Sequence, residues 1–230
     1  MTDLRLENIK ACVFDAYGTL FDVHAPVGRV ASRIGDQADA VSNMWRLKQL
    51  QYTWLRSLMQ AHVEFWQVTG EALDFALSFH GIEDKALHDE LMDLYFELDA
   101  YDDARTALSA LKAGGLKTAI LSNGSPKMLG GAVNSADLAS VLDDVISIED
   151  VGIYKPDPRV YQLAVDRMGV RSPSEICFVS ANTWDAQAGS HFGYQVARID
   201  RFGLPDDNMP GKPDVLLDSL NELPALVGIG

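Results

Sequence analysis

The chain has 230 residues, 47% of them hydrophobic and 23% charged. This is the balance of a globular protein, with length for one large domain or for a core carrying an insertion. Its formal net charge of -14, with no basic cluster longer than a pair, argues against nucleic acid and anionic membrane as partners. An anionic substrate would have to be drawn in by a few local cations. No apolar run approaches the roughly 20 residues of a membrane span, and the charged start MTDLRLENIK carries no secretory signal, so a cytoplasmic protein is expected.

Taken in chain order, Ala11 to Phe14 is a short apolar run ending at Asp15, followed by Tyr17-Gly18-Thr19. It reads as a buried strand breaking into a turn. Residues 23–98 contain no clear strand but several helical stretches. From Asn43 to Gln60 the apolar positions Met44, Leu47, Leu50, Trp54 and Leu58 recur at spacings of three and four. That spacing predicts a helix packed along this stripe, with Arg46 at its edge. Helices are then expected over 102–113, 126–137, 157–168 and 184–191. They alternate with strands at Lys117–Leu121, Val145–Ile148, Ile176–Val179, 194–199 and 214–217. Cys12 and Cys177 each sit inside an apolar run and read as reduced core thiols.

Short apolar strands alternating with helices predict an α/β fold, a doubly wound parallel sheet of Rossmann-like type. The core would comprise residues 1–22 and 99–230, with 23–98 inserted as a helical cap domain. In such sheets ligands bind beyond the carboxyl ends of the strands. Asp15, Ser122, Lys155, Asn182 and Asp185 all fall at or just after strand ends, so four separated stretches converge on one place. Pro126, suited to the first turn of a helix, sets Ser122-Asn123-Gly124 just before a helix N-terminus, where an anion is favoured.

The stretch Phe14-Asp15-Ala16-Tyr17-Gly18-Thr19-Leu20-Phe21-Asp22 resembles the first motif of the haloacid dehalogenase superfamily, whose nucleophile is the leading Asp. Ser122 after KTAIL resembles the second motif, Lys155 in YKPDP the third, and Ser180 to Asp185 (SANTWD) the fourth. Most of that superfamily are magnesium-dependent phosphatases, so the resemblance alone does not settle the reaction. Two departures bear on it. Where the phosphatases carry a second Asp to protonate the leaving alcohol, this chain has Tyr17, a phenol ill suited to that task. Where they commonly open the fourth motif with Gly-Asp, it has Ser180-Ala181, and alanine offers a magnesium ion no side-chain oxygen.

The cap stretch Trp45 to Arg56 (WRLKQLQYTWLR), with Ser122-Asn123-Gly124, Lys155 to Tyr161, and Asn182 with Trp184-Asp185, is similar to the L-2-haloacid dehalogenases in particular. That resemblance implies hydrolysis of small (S)-2-haloacids to (R)-2-hydroxy acids without metal or cofactor. Asp15 would displace halide and form an ester, and halide needs no proton to leave. Lys155 would neutralise Asp15 and Asp185, Thr19 would orient Asp15, and Tyr161 would support Lys155 or Asp15. Ser122 with the backbone of Ala16 and Tyr17 would hold the substrate carboxylate. Arg46 would accept the halide, with Tyr17, Asn123 and Trp184 lining the pocket. Asp185, with Asn182 and Ser180, would activate the hydrolytic water. His24, His62, His80 and His88 have no motif around them, and His191 follows Asp185 on the expected helix. The resemblance also implies a homodimer. The alternatives are a magnesium-dependent phosphatase or phosphonate hydrolase on the same scaffold, and a silent binding protein that keeps the fold.

Overall fold

The strands form because their sequences are apolar on both faces. Ala11–Phe14 (β1) and Ile176–Ser180 (β4) are buried along their whole length, which only a sheet covered on both sides can satisfy. The computed structural model describes residues 5–229. With Lys117–Ser122 (β2), Asp144–Ser147 (β3), Gln195–Ile199 (β5) and Val215–Leu217 (β6), these strands make a six-stranded sheet, all parallel, in the order β3-β2-β1-β4-β5-β6. Phe14 stands opposite both Ile120 and Val179, so the chain leaves β1 with a neighbour strand on each side.

The expected helices are present with ends shifted by one or two residues: Ala104–Ala113 (α6), Pro126–Ser135 (α7), Pro158–Met168 (α8) and Thr183–Phe192 (α9). Right-handed crossovers put α6 and α7 on one face of the sheet and α8 and α9 on the other, and α8 packs against α9. The winding direction therefore reverses at β1, and a crevice opens at its carboxyl end. Cys12 and Cys177 are register partners in β1 and β4, free and buried. The Cys177 sulfur beside it and burial both push the Cys12 thiol well above its usual pKa, so Cys12 is an inert core residue.

Between β1 and β2 the chain is helical: Ala25–Arg29 (α1), Ala31–Ile34 (α2), Ala38–Met59 (α3), Phe65–Phe79 (α4) and Lys85–Phe96 (α5). Its two ends are stitched together where Asp22 N–H donates to Asp99 O and Tyr101 N–H to Leu20 O. The apolar stripe expected to pack α3 is not its buried face. Leu47 is 56% and Leu58 82% exposed, and the buried positions are Val41, Ser42, Trp45, Gln49 and Thr53. The polar side chains of this buried face all find partners inside: Gln49 at Thr69 of α4, Thr53 at Leu50 O of its own helix and Ser42 at the His24 ring. A hydropathy pattern counts such positions as solvent-facing. Among the described residues no helix is long and apolar enough to cross a membrane.

Candidate active site

Asp15 follows β1 directly, and its N–H still pairs with Val179 O, so the sheet itself aims the residue at the crevice. The turn beyond is tight because Gly18, at φ 90°, takes a conformation that side chains disfavour and hydrogen-bonds Phe21 O. This brings Thr19 back over Asp15. Its hydroxyl donates to Asp15 Oδ2 at 3.0 Å and accepts from Ala181 N–H at 2.9 Å. Among the described residues no acceptor meets the N–H of Ala16 or Tyr17, so both remain available to an incoming anion.

Lys155 comes from the loop after β3. Its side chain is 1% exposed, and Nζ sits 3.1 Å from Asp15 Oδ1 and 2.8 Å from Asp185 Oδ2. Burial would favour the neutral amine, but the two carboxylates outweigh it and hold the ammonium above the usual lysine pKa. Two carboxylates share one ammonium in a buried space, so the cluster is net negative. Burial, with Asp15 adding to it, therefore lifts Asp185 above the ordinary carboxylate pKa against the pull of Lys155. Tyr161 O–H donates to Asp185 Oδ1 at 2.7 Å and Ser180 O–H to Oδ2 at 3.2 Å. Tyr161 thus supports Asp185, and not Lys155 or Asp15. The reason is that α8 carries it to the α9 side of the cluster.

Asn182 is the N-cap of α9, yet its side chain does not cap the helix. Its amide instead donates to Asp15 Oδ2 at 2.7 Å and Tyr17 O at 3.1 Å, while its Oδ1 accepts from Arg46 at 3.2 Å. Arg46 also donates to Tyr17 O at 3.1 Å, so α3 reaches the loop that follows Asp15. Ser122 ends β2 fully buried, its Oγ accepting from Gly124 N–H at 3.1 Å. This leaves its proton for another partner. Asn123 does more than line a pocket: its Oδ1 accepts from Lys155 N–H at 3.0 Å, positioning the lysine loop. The Tyr17 ring is buried, stacked on Tyr95 at 5.7 Å. Burial raises its pKa well above that of a free phenol, which removes it further from acid duty. Trp184 meets Trp54 edge-on at 5.4 Å, and a crevice of about 630 Å³ runs between α3 and the Lys155 loop beside this pair. His191 is exposed, and among the described residues its side chain has no hydrogen-bond partner.

Residues 9–193 match the family model of a haloacid dehalogenase-like hydrolase. The chain belongs to the haloacid dehalogenase-like hydrolase family. Within that family it is similar to (S)-2-haloacid dehalogenase 1 of Pseudomonas sp. (strain CBS-3), 49% identical over 223 residues that cover 96% of this chain and 98% of the relative. It is similar to (S)-2-haloacid dehalogenase 4A of Burkholderia cepacia at 48% over 219 residues, 95% and 94% of the two chains. Among solved structures, the L-2-haloacid dehalogenase of Xanthobacter autotrophicus with chloropropionic acid covalently bound superimposes with a TM-score of 0.88 at 36% identity, covering 96% of this chain and 100% of the other. The resemblance drawn from the four motifs and the doubly wound fold are borne out. The motifs did not point to Gln49, Thr69 or Tyr95, which stand behind Arg46. The one sequence signal was a polar residue four places after Trp45.

Proposed function

We propose that the protein is an (S)-2-haloacid dehalogenase, hydrolysing small (S)-2-haloalkanoic acids to (R)-2-hydroxy acids through an ester on Asp15. The observation that carries this reading is the donor set at the centre, where the Lys155 ammonium is seated between Asp15 and Asp185 and position 181 is alanine. Magnesium takes hard oxygen ligands in near-octahedral array. Among the described residues the two carboxylates at the centre, Asp15 and Asp185, are bonded to a cation already, and position 181 is alanine with its N–H held by Thr19. The donor set does not fit the ion, and no step passes through one.

The substrate carboxylate sits against the Ser122 hydroxyl and the N–H groups of Ala16 and Tyr17, near the start of α7. Asp15 attacks the α-carbon from the side opposite the halogen. The carbon–oxygen bond forms as the carbon–halogen bond breaks, and the electron pair leaves with the halide. Holding the partners in line is worth up to about 7–11 kcal/mol of barrier. Arg46 receives the halide, with Asn123 and Trp184 beside it. Asp185, oriented by Ser180 and Tyr161, then takes a proton from water, whose oxygen attacks the ester carbonyl carbon. The acyl–oxygen bond breaks, the departing alkoxide regains the proton, and Asp15 keeps the oxygen of water and releases the second water proton to solvent. Residues 23–98 act as the cap over this reaction. The exposed Leu47, Leu55, Leu58 and Met59 on α3 support a homodimer, since apolar surface of this kind is usually covered. We infer a cytoplasmic enzyme.

The test is halide release from (S)-2-chloropropionate in excess EDTA, with Asp15→Asn as the inactive control. A single turnover in oxygen-18 water should label the protein before the product. Activity that requires added magnesium, or label appearing directly in the hydroxy acid, overturns the reading.

A further inference from the structure

The guanidinium of Arg46 has three protein acceptors, all neutral: Tyr17 O, Asn182 Oδ1 and, at 2.7 Å, Gln49 Oε1. Among the described residues no carboxylate lies within ion-pair distance of it, although the chain has 33 acidic residues. Gln49 is 1% exposed, one turn further along α3. Its amide orientation is dictated by α4. The Thr69 hydroxyl donates to Phe65 O at 2.7 Å, so Thr69 Oγ1 can only accept from Gln49, whose Nε2 lies 2.8 Å away. With the NH₂ turned to Thr69, the carbonyl must face Arg46. Tyr95 Oη, 3.1 Å from Nε2 and 3.3 Å from Oε1, closes the remaining side. Trp45 Nε1 pins the same turn of α4 through Thr69 O at 2.9 Å.

We propose that Gln49 is a positioning residue for dehalogenation. A buried amide of fixed orientation offers Arg46 a neutral acceptor, which aims the guanidinium at the site while leaving it free of a direct ion pair for the departing halide. This rests on the reading of Arg46 as halide acceptor. A carboxylate at position 49 would fit the same volume and hold the same guanidinium, but would cancel its charge. Preorganised donors of this kind act on charge developing in the transition state. The poorer the leaving halide, the more the reaction depends on them.

The experiment compares Gln49→Glu, Gln49→Met and Arg46→Lys with the parent enzyme on 2-bromo- and 2-chloropropionate, reading kcat/KM so that ester formation is included, together with inhibition by added bromide and the melting temperature. Gln49→Glu is expected to lose about a hundredfold on the chloro acid and about tenfold on the bromo acid, with weaker bromide inhibition. Gln49→Met, which removes the acceptor without adding charge, should lose less and shift the chloro-to-bromo ratio less. A Gln49→Glu enzyme that melts normally and keeps the parental ratio and bromide inhibition overturns the proposal. So does an equal loss on both acids, the signature of a merely structural residue. If Arg46→Lys also leaves the ratio unchanged, the assignment of the arginine itself fails. If only Arg46→Lys shifts it, the arginine stands and the role of Gln49 falls.

Discussion

At the scale of single residues, the centre is governed by three charges in a space that excludes water. Lys155→Met would leave Asp15 and Asp185 facing each other unbalanced, a loss of about 3–5 kcal/mol for a buried pair broken on one side. The loss should be smaller at pH 5 than at pH 8, because Asp185, already held above the ordinary carboxylate pKa by burial, relieves the repulsion by taking up a proton. Urea denaturation at both pH values measures it. In the parent protein the raised lysine works in the other direction. Its stabilising charge is complete below the ordinary value of 10.5 and lost only as pH rises through the higher folded value.

In the proposed mechanism Asp185 acts as a base only when ionised, so the hydrolytic step is expected to slow as pH falls through its raised pKa. The Tyr161 hydrogen bond favours the ionised form, and bonds to charged groups contribute about 1.5–3 kcal/mol. Tyr161→Phe should therefore move the acid limb of the kcat profile to higher pH. An unmoved limb in that variant would mean that another group titrates there.

At the scale of elements, the site depends on how closely loops and helices approach one another. A Cβ on Gly124 would stand 2.7 Å from a Tyr17 ring carbon and 3.0 Å from its hydroxyl. Tyr17 cannot retreat, being stacked on Tyr95 and tilted against Phe65. Gly124→Ala is expected to cost about 1–3 kcal/mol of stability, as overpacking does, and to raise KM by disturbing the Ser122 turn. Thermal melting and steady-state kinetics check the two effects separately. The helix α3 shows where reading by element succeeds and where it stops. Its existence was legible in the spacing of apolar residues, and Arg46 on it bonds Tyr17 O and Asn182 Oδ1. Which face it buries was not legible. Gln49 turns inward because Thr69 of α4 supplies a partner for it, while the Thr53 hydroxyl donates to Leu50 O in its own helix, and a partner on another helix leaves no mark in the local pattern.

At the scale of the whole molecule, a net charge of -14 opposes the approach of an anionic substrate until it is within reach of Arg46, Lys155 and the helix start at α7. Screening should relieve this, since the Debye length falls from about 30 Å at 0.01 M to about 10 Å at 0.1 M salt. Adding sodium sulfate at low ionic strength is expected to raise kcat/KM on 2-chloropropionate. A fall would show that local cations already dominate the encounter.

What the sequence determined by itself was the fold class and the family. Apolar runs ending at Asp15, Ser122 and Ser180 encode strand ends, and strand ends in a parallel sheet share one edge. The tertiary structure alone decided the pairing of the side chains there. Tyr161 serves Asp185, Asn123 holds the Lys155 loop, and Asn182 forgoes its helix cap to bridge Asp15 and Arg46. Each of these is a hydrogen bond 2.7–3.2 Å long between residues 24 to 167 positions apart. Their direction depends on which face of each helix the packing turns inward, and no local stretch of sequence records it.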